Sequence, residues 1–533
     1  MRGDTVMDTW DVLLYDTTLR DGTQGEQINF SAEEKLRIAQ RLDDFGIHYI
    51  EGGWPGSNPR DMRFFEMAKE VTFKNSRLTA FGSTRRHDRK VEHCSNIAAL
   101  IETQTQAVTI FGKAWDLHLT DILRISLDDN LAMIHDSVSY LKKKGKEVIF
   151  DAEHFFDGYK KDPAYACKAI EVALSAGADT VVLCDTNGGT LPHELTAIIR
   201  EVIVLIPPSR MGIHAHNDCG LAVANTLAAV VEGLHMVHGT VNGYGERCGN
   251  ADLVPIIGNL QLKMNKKCLP EGSVRQLTNL SNYISDIANI PPLNSRPFVG
   301  RSAFAHKGGV HVDAVSKNPA AYEHVLPELV GNNQRVLVSD LAGKSNIEYK
   351  ARELGVDLGR DAVISRRIVQ EIKNMESDGY QFDAAEGSLS VLLKKAAGTF
   401  KEPFKLESYQ VLNAKVGENP PVSQATIKIS VGTEEELTAA EGNGPVNALD
   451  NALRKALTKF YPRISEMHLV DFKVRILEGS EGTAAKVRVL LDSRDGDEVW
   501  STVGVSTNII EASWNALVDS IQYKLSKDEE KDH

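Results

Sequence analysis

Leu13-Leu14-Tyr15-Asp16-Thr17-Thr18-Leu19-Arg20-Asp21-Gly22 is an apolar run that stops at two threonines, an arginine, an aspartate and a glycine. Runs of this kind form strands buried on both faces of a parallel sheet. The charged pair Arg20-Asp21 is therefore expected where a strand ends, which is where α/β barrels keep their chemistry. An Arg-Asp dipeptide at a turn is more often a solvated ion pair, and the rest of the chain has to decide between the two readings.

Working outward, short apolar runs alternate with amphipathic stretches at fairly even spacing, the pattern of repeated βα units. Eight such runs are found: Val12 to Tyr15, His48 to Ile50, Leu78 to Phe81, Ala107 to Phe111, Glu147 to Phe150, Thr180 to Leu183, Met211 to Ile213 and Met236 to Val241. Helices are expected between them, the first opened by Ser31-Ala32-Glu33-Glu34 as a capping box. Eight units in this span predict an α/β fold of TIM (β/α)8 barrel type over residues 1–265. Polar groups follow every run: Asp16, Glu51, Ser83 with Thr84, Lys113, Glu153, Asp185 with Thr186, His214 with His216, and Asn242. A doubly wound sheet would gather them mainly at one switch point instead.

Past Asn250 the pattern turns irregularly helical, broken at Pro291-Pro292 and Pro297, so a helical subdomain is expected over 266–393. Residues 394–403 read as a linker. Strand alternation then returns at Ser408 to Val416, Gln424 to Val431, His468 to Leu477 and Ala484 to Leu491. Helix entries at Gly444-Pro445-Val446-Asn447 and Thr507-Asn508-Ile509-Ile510 resemble each other, so 404–525 is expected to be an α+β domain using one strand-and-helix unit twice. Gly442-Asn443-Gly444 is read as a turn before a helix, because no Lys-Ser/Thr follows to make a phosphate loop.

The chain has 533 residues, 42% hydrophobic and 25% charged, the make-up of a soluble globular protein with more than one core. A net charge of -13 argues against nucleic-acid and anionic-membrane partners, since its field repels phosphates. Six cysteines without C-x-x-C spacing read as reduced thiols. The first ten residues lack an apolar signal-peptide core, and no stretch holds eighteen uninterrupted apolar residues, so a cytoplasmic location is expected.

His214-Ala215-His216-Asn217-Asp218 is the sharpest local signal. Alternate residues on a strand point the same way, so both imidazoles can reach one metal at the barrel's carboxyl end. A lone H-x-H is weak evidence, since buried histidines often satisfy backbone groups. Two oxygen ligands are available, however: Asp21 after the first run, and Asn250 in Gly245-Glu246-Arg247-Cys248-Gly249-Asn250 after the eighth. Closure of a barrel brings its first and eighth strands together. One carboxylate, one amide and two imidazoles suit Mn, Mg or Zn with open positions.

These motifs, with Gly308-Gly309-Val310-His311, resemble the acyl-CoA-condensing 2-oxoacid enzymes, the 2-isopropylmalate, homocitrate and citramalate synthases among the Arg-Asp-barrel metallolyases. The resemblance runs from residue 12 to about 525. Asp21 to Gln27, Gly52 to Pro59 and Phe111 to His118 look most like the citramalate synthase branch. The resemblance implies condensation of acetyl-CoA with pyruvate, then thioester hydrolysis to citramalate and CoA. It implies Asp21, His214, His216 and Asn250 as metal ligands, Arg20 on the developing oxyanion, and Glu153 near the reacting centre. Asp151 and Thr186 are expected in the oxoacid pocket, and Lys113 on substrate or CoA phosphate unless it is a plain surface lysine. The resemblance also implies a base drawn from the histidines of the helical region. The residues alone leave His306 and His311 equal, whereas the resemblance prefers His311, with Tyr322 beside it. It further implies a homodimer whose subdomain crosses to the partner barrel, and a regulatory 404–525 domain with isoleucine as end-product effector, the alternative being a dimerisation domain that binds no ligand. Competing readings are a larger oxoacid (2-oxoisovalerate or 2-oxoglutarate), a metal aldolase or lyase that needs no CoA, and a barrel that only senses amino acids.

Overall fold

The computed structural model describes residues 10–358, 362–477, 484–496 and 498–531. Eight parallel strands close into a barrel in chain order: β1 Leu13–Asp16, β2 Tyr49–Gly53, β3 Arg77–Ser83, β4 Ala107–Lys113, β5 Glu147–Glu153, β6 Thr180–Asp185, β7 Met211–Ala215 and β8 Met236–Gly239. All eight overlap the expected runs, with ends that differ by a residue or more. The seam is sealed by β1 against β8, with Leu13 opposite Met236 and Asp16 opposite Gly239.

Alternation along the strands separates two cores. Leu14, Ile50, Val108, Phe150, Leu183 and Val237 belong to the large cluster shared with the surrounding helices. Leu13, Tyr15, Tyr49, Ile149, Val182 and Met236 form a second cluster that fills the barrel interior. The interior positions nearest the carboxyl ends are polar or aromatic instead: Glu51, Phe81, Thr109, Asp151 and His214. The first helix, Ala32–Phe45, begins at the expected capping box, where Ser31 accepts from the Glu34 amide, and ends at Gly46, whose φ of 102° favours glycine.

Two compact units emerge. One comprises the chain through Phe304 with Val325–Asn333, and the other comprises Ala305–His324 with the chain from Gln334 onward. In the second unit, β9 Ala305–His306 pairs with β10 Arg335–Val336. The stretch expected as a linker is helical at its start, because Glu386–Ala397 continues until Gly398 ends it in the left-handed region at φ 71°.

The repeated C-terminal unit has three strands and a helix rather than two strands. Strands β11 Lys405–Ala414, β12 Val422–Val431 and β13 Glu434–Gly442 precede the helix Pro445–Thr458, and β14 Met467–Ile476, β15 Val487–Asp495 and β16 Glu498–Ser506 precede Ile509–Lys531. Both sheets are antiparallel meanders. The third strand of the first sheet escaped the sequence reading because Glu434-Glu435-Glu436 is a poor strand opening; it is an exposed edge, where charge is common. Gly444 caps the helix Pro445–Thr458, as the turn reading expected. Among the described residues no helix is long and apolar enough to cross a membrane.

Candidate active site

The charged pair at the end of β1 is buried. Arg20 and Asp21 touch each other, Nη1 to Oδ2 at 3.2 Å, with side chains 12% and 4% exposed. The Arg20 guanidinium is fixed from three directions: Nε donates to Glu51 Oε1 at 2.5 Å, its face lies 3.7 Å above the Phe81 ring, and Nη1 meets Asp21. Glu51 is fully buried at the end of β2. Its other partners are Thr17 Oγ1 at 2.6 Å and the Tyr15 hydroxyl, which also meets Thr109 Oγ1 at 2.8 Å. A planar cation thus sits on a carboxylate that the barrel interior holds rigidly.

Asp21 Oδ2 faces both histidines of β7, 3.4 Å from His214 Nε2 and 3.9 Å from His216 Nε2. The two Nε2 atoms are 3.4 Å apart. One ligand atom from each of the three residues lies within 4.8 Å of the others. Asn250 is paired to the His216 backbone across an isolated bridge. Its Nδ2 donates to Tyr244 O at 3.1 Å. Asn250 Oδ1 and Asp21 Oδ1 are buried without a partner. Two imidazoles, a carboxylate and an amide oxygen left unpaired in a buried site are what a divalent cation requires, so the residues present fit a metal.

The loop that delivers Asn250 depends on glycine. A Cβ on Gly245, at φ 152°, would fall 2.2 Å from Asn250 Nδ2, and one on Gly249, at φ 88°, would fall 2.0 Å from Gly243 O.

Electrostatics favour the ligand-ready form at Asp21 and His216, whereas at His214 the effect of burial is outweighed by the adjoining Asp21 carboxylate, which raises the imidazole. Burial pushes the Asp21 carboxyl up, but the Arg20 charge and the two imidazoles outweigh it and hold the group well below the usual carboxylate range. His216 is pushed down to about 4, first by burial and then by the neighbouring His214, which keeps it neutral. Asp151 is raised to about 7, chiefly by burial.

A cavity of about 200 Å³ opens here, lined by Arg20, Asp21, Asp151, Glu153, Thr186 and both histidines on its polar side, with Trp54, Phe81 and Phe111 on its apolar side. Thr186 Oγ1 accepts from the His154 amide at 2.9 Å, which leaves its own proton to donate. Lys113 is half-buried and ion-paired with Glu153, so it is not a plain surface lysine. Arg247 also lines the cavity and is clamped by Asp218 at 2.8 and 3.0 Å.

His311 and Tyr322 lie in the second unit, where their rings stack with centroids 4.2 Å apart and an interplanar angle of 26°. His311 is exposed. His306 is buried there, and its Nε2 is 3.1 Å from Glu323 Oε1.

Sequence reasoning placed Glu51 at a strand end without a role, and it passed over Tyr15, Thr17, Trp54, Phe81 and Arg247. An acid closing an otherwise apolar run was the one available signal for Glu51.

Residues 11–284 match the HMGL-like family, 298–379 the homocitrate synthase post-HMGL domain-like family, and 383–525 the LeuA allosteric (dimerisation) domain. An (R)-citramalate synthase of Aquifex aeolicus is 55% identical over 97% of this chain and 98% of its own length. One from Geobacter sulfurreducens is 54% identical over 97% and 98%. A 2-isopropylmalate synthase of Pseudoalteromonas atlantica is more distant, at 32% identity over 95% and 94%.

Proposed function

This chain belongs to the (R)-citramalate synthase family of HMGL-like barrels, and we propose on that premise that it joins acetyl-CoA to pyruvate at the carboxyl end of its barrel. The acetyl methyl loses a proton, its carbon bonds to the ketone carbon of pyruvate, and water cleaves the thioester to release (R)-citramalate and CoA. The observation that carries this reading is the convergence of Asp21, His214 and His216 beside Arg20 on a cavity of about 200 Å³ that admits a three-carbon oxoacid.

A divalent cation held by Asp21, His214, His216 and Asn250 would supply the positive charge that binds a 2-oxoacid through its carboxylate and carbonyl. Arg20 stabilises the oxyanion that develops on the ketone oxygen, and its permanent charge and fixed plane leave little to reorganise. Thr186 donates to the oxoacid carboxylate, and Asp151 shapes the floor of the pocket. Glu153, paired with Lys113, sets the charge around the reacting carbons, which gives that lysine a role at the site instead of on a CoA phosphate.

His311 takes the methyl proton. It is exposed and stacked on Tyr322, whereas His306 is spent on a buried carboxylate, and this supports His311 as the base. The LeuA allosteric (dimerisation) domain supports a homodimer under allosteric control; in our reading the histidine of one chain serves the barrel of the other, and isoleucine is the feedback effector. A cytoplasmic location accords with such a biosynthetic role.

Free-thiol release from acetyl-CoA with pyruvate, 2-oxobutanoate, 2-oxoisovalerate and 2-oxoglutarate tests the reaction. Pyruvate is expected to be the best substrate and isoleucine to slow it; no thiol release with pyruvate overturns the reading. The crossed site has its own test. Asp21→Ala and His311→Ala proteins, each inactive, are expected to regain part of the activity when mixed and allowed to exchange subunits. No recovery would place the base in the same chain as the metal.

A further inference from the structure

The apolar side of the cavity is a wall of three rings, and one of them is locked from behind. Trp54 follows β2 and meets Phe81 and Phe111 edge-on, with centroids 5.6 Å away in both cases and interplanar angles of 85° and 82°. Phe81 and Phe111 lie side by side at 5.5 Å. Edge-to-face contacts of this kind give a ring a preferred orientation as well as a place.

Behind the wall, Trp54 Nε1 donates to Asn96 Oδ1 at 2.7 Å. The Trp54 amide donates to Asp61 Oδ2 at 2.8 Å. Asn96 opens the short helix Ser95–Glu102, and its Nδ2 donates to the Ser83 carbonyl at 2.7 Å. Cβ atoms built on Gly56 and on Gly82 would each lie 3.1 Å from Asn96 Oδ1, so the loop after β2 and the end of β3 both press on this amide. Oδ1 and Nδ2 are thereby committed, and the indole has one position open to it.

We propose that Trp54 is the residue that limits the length of the 2-oxoacid side chain and that Asn96 is the positioning residue that locks it. This rests on the oxoacid reading given above. With the acid's polar end fixed at Arg20 and the metal ligands, its side chain extends toward the three rings. A packed interior does not yield to an added methylene, and a pocket of fixed shape discriminates one methylene by roughly 10- to 200-fold. Phe81 is already engaged by the Arg20 guanidinium, so Trp54 is the ring whose change would enlarge the pocket with least disturbance to the charged centre.

The test compares kcat/KM for 2-oxobutanoate with that for pyruvate. Trp54→Ala is expected to raise this ratio roughly tenfold or more, and Trp54→Phe by less. Asn96→Leu removes the acceptor and is expected to move the ratio in the same direction, chiefly through KM. Asn96→Asp keeps an acceptor for the indole but sets an oxygen against the Ser83 carbonyl, and is expected to move the ratio less than Asn96→Leu does. The same ratios are read calorimetrically from binding of the two oxoacids to the metal-loaded protein without acetyl-CoA. A wild-type protein that binds pyruvate but releases no thiol would thus sink the condensation reading and still test the wall. A Trp54→Ala protein that melts as the wild type does and keeps its preference overturns the proposal. Should that variant not fold, unchanged ratios in both Trp54→Phe and Asn96→Leu overturn it.

Discussion

Arg20→Lys is expected to lower kcat for thiol release roughly 10²- to 10³-fold, the loss seen when one fixed donor to a developing oxyanion is removed. Divalent-metal affinity is expected to stay close to that of the wild type. The two expectations separate because the two members of the pair face different tasks. Asp21 presents its carboxylate to His214 and His216, and a lysine ammonium next door would still offset its charge. Arg20 presents a plane that meets Glu51 through Nε, Asp21 through Nη1 and the Phe81 ring through its face. A lysine has one charged point on a flexible stem and cannot satisfy all three while still aiming a donor at the ketone oxygen. Turnover measured beside calorimetric metal binding checks both halves. Wild-type turnover in the variant would remove Arg20 from the oxyanion, and loss of metal binding would mean that it orders the ligands.

The legibility of this site follows from the range of the forces that build it. His214 and His216 could be paired from sequence because a strand repeats every two residues, a purely local rule. Asp21 and Asn250 could be added because closure makes the first and eighth strands neighbours, a rule of the architecture. Glu51 could not be assigned. Its meaning comes from Tyr15 on β1 and from Thr17 and Arg20 in the turn that follows it, and nothing local distinguishes an acid that anchors a cation from one that ends a strand in solvent. Trp54 was hidden for a similar reason, since its place depends on Asn96, which lies 42 residues further on. In the C-terminal repeat the edge strand β13 was hidden by its own charge, which suits an exposed edge and contradicts the alternation by which strands are recognised.

Glu51→Gln tests how much the fold itself relies on the charged centre. The substitution keeps the shape of the side chain and an oxygen that can accept from Thr17, and the Tyr15 hydroxyl can turn to accept from the new amide. What it removes is the counter-charge that the buried guanidinium touches at 2.5 Å. Breaking one partner of a buried ion pair costs about 3–5 kcal/mol, because the other charge is left in a poorly solvated place. Asp21 remains beside Arg20, which puts the expected loss near about 3 kcal/mol. At roughly 2–4 °C per kcal/mol for a domain of this size, the barrel transition is expected to fall by roughly 6–12 °C. Removing the cation as well should return much of that loss, so the double variant Arg20→Met with Glu51→Gln is expected to melt above Glu51→Gln alone while being catalytically dead. That non-additivity is the signature of a pair rather than of two independent contacts. Thermal unfolding of the wild type, the two single variants and the double variant closes the cycle. A Glu51→Gln protein that melts within a degree of wild type would show that Asp21 alone carries the charge of Arg20, and that the Tyr15, Thr17 and Glu51 network is packing rather than the support on which the reactive arginine is held.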